Sequence, residues 1–229
     1  AVAAGLTART EAAAARARSL FGPGVAAGAC AIGAVPEPDL WPEEAAAMAR
    51  ALPARRAEFA AGRAAARRAL ATLGLAPAAI PMAADRSPVW PPGVAGSITH
   101  ADGIALAVVA RTSAHAALGL DAEPDEALPE DAAGEILLPE ERDRCAAAPD
   151  PGRAARLVFA AKEAAYKAQH PLSGRLLDFA ALAVDWGPGD RLGARFRTAA
   201  PPFAPGDRLI GRFARGAGLV LAGFAISRG

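Results

Sequence analysis

The chain has 229 residues and a net charge of +1 at neutral pH. It is therefore long enough to bury a substantial core and lacks the global field that marks nucleic-acid-binding or membrane-surface proteins. Its two cysteines, Cys30 and Cys145, provide neither a disulfide framework nor a cysteine-rich metal site, and they favour the reducing cytoplasm. Apolar runs such as 104–110 have the length of a strand and fall short of the ~18 residues of a spanning helix, so we expect no transmembrane segment.

The N-terminal residues 1–22 are rich in alanine and arginine, which is also typical of transit peptides. Glu11 and the lack of a serine bias oppose that interpretation. A first helix or a frayed terminus is the favoured alternative.

In the first half of the chain, the sequence predicts a strand, two helices and a hairpin. Residues 24–32 have the composition of a strand. Pro42 opens a short helix with acidic residues in its first turn, and an arginine-rich helix is predicted from Pro53 to Leu73, before Gly74. The dipeptide at 102–103, Asp-Gly, lies between two extended runs and predicts a hairpin.

In the second half, a strand is predicted over 116–123, followed by an acidic solvated loop over 123–135. Pro139 opens a short helix, and a longer helix begins after Asp150 and stops at about Gln169, ahead of Pro171. Short extended runs separated by turn residues predict an antiparallel sheet in the C-terminal part. These runs are 182–186, 193–197, 208–213 and 219–226.

Each half thus combines helices with a small sheet, which predicts an α+β fold of two similar lobes. We place the division near Leu118, with an N-terminal lobe over 1–118 and a C-terminal lobe over 119–229. A ligand cleft between the lobes would collect side chains from both.

Asp121 and Glu123 are the first candidate site residues. They lie two residues apart at the end of an apolar run, so on a strand both carboxylates project from one face. Mg²⁺ prefers such hard oxygen ligands and fills its remaining positions with water and phosphate oxygens. The alternative is a strand-end turn with two solvated acids.

Glu163 and Lys167 follow on the predicted helix at i and i+4, and they therefore share one face. Taken alone, this spacing is that of a surface ion pair. Together with the acid pair it indicates a metal and phosphate site, in which cation and ammonium share the negative charge of a diphosphate.

The segment 96–100, Gly-Ser-Ile-Thr-His, offers a glycine, hydroxyls and an imidazole, which can approach a phosphate oxygen. His100 by itself is equally typical of a structural hydrogen-bonding residue. No histidine has a partner at metal-ligand spacing, which argues against zinc.

Arginines of the long helix are further candidates. Arg56, Arg63 and Arg67 fall at i, i+7 and i+11, close to one line along the helix and beside its apolar stripe. They could direct guanidinium groups at a phosphate, or they could form a basic edge that covers apolar surface. Arg86 is a weaker candidate of the same kind.

Four segments occur in the order and at the separations found in surfactin-type 4′-phosphopantetheinyl transferases, which the chain resembles, most of all in the enterobactin synthase component D branch. The segments are RRAEFAAGRAAARRAL at 55–70, DRSPVWPPGVAGSITH at 85–100, LGLDAEP at 118–124 and FAAKEAAYKA at 159–168. The similarity spans about 41–171, and four ordered motifs are more specific than any one.

The resemblance implies a pseudo-twofold monomer with coenzyme A bound between two α+β lobes. Asp121, Glu123 and Glu163 match the magnesium ligands of that family, and Lys162 matches the lysine before the third ligand. The implied reaction transfers the 4′-phosphopantetheine arm to a serine of an apo carrier protein of a peptide, siderophore, polyketide or acyl-carrier system, and releases 3′,5′-ADP.

The same resemblance implies the residues that bind coenzyme A. Lys167 matches the lysine that contacts its phosphates, and Asp121 belongs to this set as well. His100 matches the histidine of the phosphate-binding turn, where Thr99 replaces a common serine and keeps the hydroxyl. Positions that hold the nucleotide and its 3′-phosphate match Arg56, Arg63 and Arg86.

We hypothesise that Glu163 removes the serine proton, directly or through a metal-bound water, and that Lys167 stabilises or protonates the leaving phosphate. A magnesium-dependent phosphodiester hydrolase is the alternative enzyme, because acid clusters with a lysine also activate water. A third interpretation makes the helix at 55–68 a nucleic-acid-binding element. The near-zero net charge and the scarcity of aromatic residues argue against it.

Overall fold

The computed structural model describes residues 2–34 and 38–228. The helices within these ranges are α1 (Val2–Ser19), α2 (Pro42–Ala45), α3 (Pro53–Thr72), α4 (Glu130–Ile136), α5 (Pro139–Ala146) and α6 (Pro151–Ser173), with 3-10 turns at Ala46–Met48 and Phe179–Ala181. The strands are β1 (Val25–Ala31), β2 (Val94–Ala101), β3 (Ile104–Arg111), β4 (His115–Pro124), β5 (Leu182–Gly187), β6 (Arg191–Phe196), β7 (Arg208–Gly216) and β8 (Leu219–Ser227). None of the described helices is long and apolar enough to cross a membrane.

The first sheet has three antiparallel strands in the order β1-β3-β2, and α3 packs across it. Gly28 on β1 makes this packing close, because a Cβ there would overlap the carbonyl oxygen of Ala65 on α3. The alanine-rich face of α3 then buries Leu70 and Ile80 against the sheet. We call this unit, with β1, β2, β3 and α3, the first lobe.

The second sheet has five antiparallel strands in the order β4-β8-β7-β6-β5, and α6 packs across it. Gly119 on β4 is equivalent to Gly28 on β1, because a Cβ at Gly119 would overlap the carbonyl oxygen of Ala164 on α6. We call this unit, with β4–β8 and α4–α6, the second lobe. The two equivalent glycine contacts relate α3 to α6 and β1 to β4.

Two hydroxyl groups join the lobes where β2 runs beside β4. The amide of Leu120 donates to Ser97 Oγ at 3.0 Å, and the amide of Ala122 donates to Thr99 Oγ1 at 3.3 Å. Ser97 and Thr99 project from one face of β2 because they are two residues apart. On this side of β4, side-chain oxygens of β2 accept the amide hydrogen bonds that backbone carbonyls of a neighbouring strand would accept in a continuous sheet.

Each lobe also has a buried glutamate at the start of a proline-initiated helix. Glu44 accepts hydrogen bonds from the amides of Trp41 and Ile80 and forms an ion pair with Arg67 at 2.7 Å.

Glu141 accepts hydrogen bonds from the amides of Leu138 and Val184 and pairs with Lys162 at 2.8 Å. Lys162 also donates to the carbonyls of Ile136 and Phe179. Burial lowers the pKa of Lys162, and the hydrogen bond that Lys162 donates to Glu141 opposes that shift. These glutamates link each long helix to distant backbone segments.

The α+β fold of two lobes, each with an antiparallel sheet and a long helix, is confirmed. The division at 118 stays a prediction; the chain leaves the first sheet after Arg111 and enters β4 at His115. The predicted first helix is present as α1, which packs on β1 and β7.

Two predictions about loops and helix ends were wrong. Helix α6 continues through Pro171 and ends at Ser173, since a proline in the last turn removes only one hydrogen bond there and Gly174 caps the helix with φ of 63°. The acidic segment 123–135 contains the start of α4, which begins with Glu130 and Asp131 in its first turn. Carboxylates there favour a helix, and Ile136 anchors it in the core.

Candidate active site

Asp121 lies at the junction of the two lobes, on the face of β4 that packs against α6. It is 4% exposed. Its Oδ1 atom accepts a hydrogen bond from Thr99 Oγ1 at 3.0 Å and lies 2.6 Å from Lys167 Nζ. Its Oδ2 atom is buried and has no hydrogen-bond partner within residues 2–34 and 38–228. A buried carboxylate oxygen without a partner is costly, and this atom is therefore suited to a cation.

Lys167 extends from α6 over the end of β4. Besides Asp121, its ammonium contacts the carbonyl oxygen of Leu120 at 3.3 Å. Its side chain is 28% exposed, so an ammonium with three donors still faces the cleft between the lobes.

Glu123 also faces α6, as the spacing from Asp121 predicts, while Ala122 between them lies in the core on the opposite face. Glu123 Oε2 lies 3.0 Å from Nη1 of Arg156. Burial, followed by the charge of Asp121, raises the pKa of Glu123, and Arg156 opposes the shift.

Glu163 is half-buried on α6 and has no hydrogen bond or ion pair with the described residues. Burial, followed by the charge of Asp121, raises its pKa, and Lys167 opposes the shift. Glu163 lines a cavity of about 290 Å³ together with Tyr166, Leu177 and Phe179. The lining of this cavity is mostly apolar and also includes Lys162 and Asp178.

The three predicted metal carboxylates do not converge into a ready-made site. Over residues 2–34 and 38–228, no three histidine, cysteine or acidic side chains are grouped closely enough to hold a metal. The donors nevertheless fit Mg²⁺, because all are hard carboxylate oxygens, their charges interact across the site, and Asp121 Oδ2 is free.

A cleft of about 300 Å³ opens above Asp121 between the lobes. We call it the interlobe cleft. It collects side chains from α3, β2, β4, α6 and the loop after residue 81. Its charged members are Arg55, Glu58, Arg63, Arg86, Asp121 and Lys167, and His100 also lines it. Cations outnumber the carboxylates, which suits a ligand with several negative charges.

His100 lies in β2 at the side of this cleft, with Nε2 3.8 Å from Oε2 of Glu58. Burial lowers its pKa, Glu58 raises it, and Arg55 and Lys167 lower it further. A neutral imidazole can still donate one hydrogen bond to a ligand.

The four predicted arginines differ in their environments, and Arg63 and Arg86 both line the interlobe cleft. Arg63 is buried at 6% exposure, donates from Nε to the carbonyl of Ile80 at 2.9 Å, and stacks 3.7 Å above the Phe59 ring. Burial lowers its pKa to about 10. Arg86 is exposed, with φ of 70°. This left-handed conformation is uncommon for a residue with a side chain, and it occurs where the loop turns toward the cleft.

Arg56 does not line the cleft; its side chain is exposed, and the adjacent Arg55 lines the cleft instead. Arg67 forms an ion pair with the buried Glu44. Thr99 lines the cleft, but its hydroxyl contacts Asp121 and the amide of Ala122. Its predicted contact with phosphate stays a prediction.

The amino-acid sequence matches known families over most of its length. Residues 43–110 match the 4′-phosphopantetheinyl transferase N-terminal domain, and residues 117–209 match the 4′-phosphopantetheinyl transferase superfamily. The chain belongs to this superfamily.

Curated relatives carry the same name. The 4′-phosphopantetheinyl transferase Svp of Streptomyces mobaraensis is 47% identical over 156 residues, which cover 64% of this chain and 61% of Svp. The 4′-phosphopantetheinyl transferase PptT of Mycobacterium tuberculosis is 45% identical over 139 residues, covering 60% of this chain and 61% of PptT. Enterobactin synthase component D of Salmonella typhi is 39% identical over 119 residues, covering 50% and 48%. The aligned part thus spans about three fifths or less of these relatives.

Sequence reasoning missed three residues of this phosphopantetheinyl transferase-family site. Arg55 lines the cleft, Tyr166 lines the cavity beside Glu163, and Arg156 contacts Glu123. For Arg156 a signal was present: it lies seven residues before Glu163 and therefore on the same face of α6. For Arg55 the helical phase was too imprecise to choose it over Arg56.

Proposed function

We propose that this protein transfers the 4′-phosphopantetheine arm of coenzyme A to a serine hydroxyl of an apo carrier protein and releases 3′,5′-ADP. The observation that carries the proposal is the buried Asp121, with one unpaired oxygen at the base of a cleft whose charged side chains are mainly cations. Membership of the superfamily and the names of the relatives support it. The proposed acceptors are carrier domains of peptide or polyketide synthases, and the proposed enzyme is a cytoplasmic monomer.

The cations of the interlobe cleft suit the three phosphate groups of coenzyme A. Lys167 and His100 flank Asp121 and would face the diphosphate, where the bond breaks. Arg86 and Arg55 lie on the first-lobe side and would bind the 3′-phosphate, for which arginine has the matching planar donors. Arg63 has its Nε in use and would act mainly through its charge.

Asp121, Glu123 and Glu163 would hold Mg²⁺. When bound, this ion would supply positive charge to the diphosphate as the leaving group departs. Asp121 is the fixed member of the set because Thr99 and Lys167 hold its other oxygen. Glu163 is the free member, since it has no partner in the described parts of the chain.

Glu163 is also the proposed acceptor of the serine proton. It lines the mostly apolar cavity of about 290 Å³ beside Tyr166, Leu177 and Phe179, through which an acceptor hydroxyl could approach it. Lys167, four residues later on the same face of α6, would stabilise the charge that develops on the leaving phosphate.

The test is the intact mass of an apo carrier protein after incubation with coenzyme A, Mg²⁺ and the enzyme. We expect the carrier to gain the phosphopantetheine arm with the wild type and with Glu135→Gln, an exposed acid on α4. Glu163→Gln should reduce the rate at least about 100-fold, as expected for a group that acts in the transition state. Near-wild-type transfer by Glu163→Gln would overturn the assigned role.

The same experiment tests the hydrolase alternative. Coenzyme A is incubated with enzyme and Mg²⁺ in the presence and absence of apo carrier, and 3′,5′-ADP is quantified. Release that requires the carrier supports transfer. Equal release without a carrier would contradict it and indicate attack by water.

A further inference from the structure

The guanidinium group of Arg156 uses all three of its nitrogens beside the candidate metal site. Nη1 donates to Glu123 Oε2 at 3.0 Å, Nη2 donates to the carbonyl of Ala127 at 3.0 Å, and Nε lies 3.4 Å from the carbonyl of Glu126. The side chain is 12% exposed. Arg156 therefore clamps one oxygen of Glu123 to the backbone that follows β4.

Arg156 contacts Glu123 in the same way as Lys167 contacts Asp121. Arg156 and Lys167 lie on the face of α6 that meets β4, and each contacts one carboxylate of the acid pair through one oxygen. Asp121 Oδ2 is buried without a hydrogen-bond partner among the described residues, and the contact of Arg156 with Glu123 uses Oε2 and leaves Oε1 outside it. The same pattern at two sites indicates that α6 fixes the acids and leaves one oxygen of each free.

We infer that Arg156 is a positioning residue, which orients Glu123 so that Oε1 is available to a divalent cation. The inference rests on the proposed magnesium site. Partners that orient a metal ligand typically contribute 10–100-fold to metal affinity. Arg156 acts through Glu123 and not by contact with the substrate.

An opposite effect is physically possible, because Arg156 is also a cation close to the site. If it acted only as a competing charge, its removal would strengthen cation binding. The sign of the change in affinity therefore separates orientation of Glu123 from simple charge competition.

The experiment measures Mn²⁺ binding to the full chain by electron paramagnetic resonance, with Mn²⁺ as the probe for Mg²⁺. Arg156→Met removes the donors, and Arg156→Lys keeps the charge but cannot bridge Glu123 and Ala127. We expect a loss of about 10–100-fold in affinity for Arg156→Met and a smaller loss for Arg156→Lys. Unchanged or tighter binding by both variants would overturn the inference.

A matched control lies one turn earlier on the same helix. Arg153 pairs with Asp125, which is outside the site, so Arg153→Lys should leave Mn²⁺ affinity unchanged. A double-mutant cycle excludes a purely structural effect. In a Glu123→Gln background, Arg156→Lys should cause no further loss of Mn²⁺ affinity if it acts through Glu123. A full additional loss would contradict positioning, even if Arg156→Met fails to fold.

Asp121→Asn separates failure of the inference from failure of the proposed site. If Asp121→Asn binds Mn²⁺ like the wild type, the magnesium site itself is wrong. If Asp121→Asn loses binding while both Arg156 variants keep it, only the role of Arg156 is wrong.

Discussion

Helices α3 and α6 meet their sheets through equivalent contacts, yet only α6 faces a pair of acids. In the first lobe, Arg68 on α3 donates to the carbonyl of Ala29, the residue after Gly28. In the second lobe, Lys167 on α6 donates to the carbonyl of Leu120, the residue after Gly119. The cation is therefore present at the same place in both lobes.

The acids are not. Cys30 occupies the place of Asp121, two residues after the packing glycine, and Ile32 occupies the place of Glu123. Ala64 stands where α6 carries Glu163. The two lobes share the glycine and the cation at the contact between helix and strand. They differ in the carboxylate oxygens that could bind a metal. The close packing of helix on strand is therefore a property of both lobes, while the candidate chemistry belongs to the second.

The largest expected effect is on stability and concerns the buried glutamates. Glu141→Ala leaves the ammonium of Lys162, which is 2% exposed, without its counter-ion and exposes two amides to an apolar environment. We expect the free energy of unfolding to fall by about 3–5 kcal/mol, measured by urea denaturation.

Glu44→Ala is the matched variant of the first lobe, and we expect a smaller loss. Arg67 is 14% exposed and keeps its bond to the carbonyl of Asp39, so its charge remains partly solvated. A loss for Glu44→Ala equal to or larger than that for Glu141→Ala would contradict this explanation.

Much of the fold was predictable because its signals are local. Pro42, Pro53, Pro139 and Pro151 each open a helix as predicted. The turn at 102–103 forms the β2–β3 hairpin. The placement of Asp121 and Glu123 on one face follows from strand alternation alone.

The partners of those side chains were not predictable, because they depend on how separate elements pack. Nothing local indicates that Thr99 contacts Asp121, or that Arg156 reaches back to the end of β4. A difference of one residue on α3 decides between Arg55 and Arg56. The end of α6 was misjudged for a physical reason, since proline disrupts a helix less in its last turn than in its interior.

The next largest expected effect is the loss of stability when either packing glycine is replaced by alanine. Gly119→Ala and Gly28→Ala each place a Cβ against a helix carbonyl, at Ala164 and Ala65. We expect both to lower the free energy of unfolding by about 1–3 kcal/mol or more, as overpacking does.

Their effects on activity should differ. Gly119→Ala pushes α6, with Lys167 and Glu163, away from β4, and we expect transfer to fall well below the wild type at temperatures where the protein is folded. Gly28→Ala should keep more activity at the same folded fraction. Equal residual activities of Gly119→Ala and Gly28→Ala would contradict a site that depends on the packing of α6 alone.

The smallest effect concerns the thiols. Cys30 is 1% exposed, and burial raises its pKa although Arg68 opposes the shift; burial also raises the pKa of Cys145 to about 11. Both thiols are therefore protonated at neutral pH. We expect labelling by a maleimide at pH 7 to be at least about tenfold slower in the native protein than in urea. Fast native labelling of Cys30, identified by peptide mass, would indicate an accessible thiolate beside Arg68.

The measurement that tests the central claim most directly compares Asp121→Asn with Cys30→Ser, the two variants at the equivalent places in the lobes. Each is incubated with apo carrier protein, coenzyme A and Mg²⁺, and the rate at which the carrier gains the phosphopantetheine arm is read from its intact mass. We predict a loss of about 10²–10³-fold for Asp121→Asn and a rate within about twofold of the wild type for Cys30→Ser. Equal losses in both variants, or near-wild-type transfer by Asp121→Asn, would contradict a site confined to the second lobe's acids.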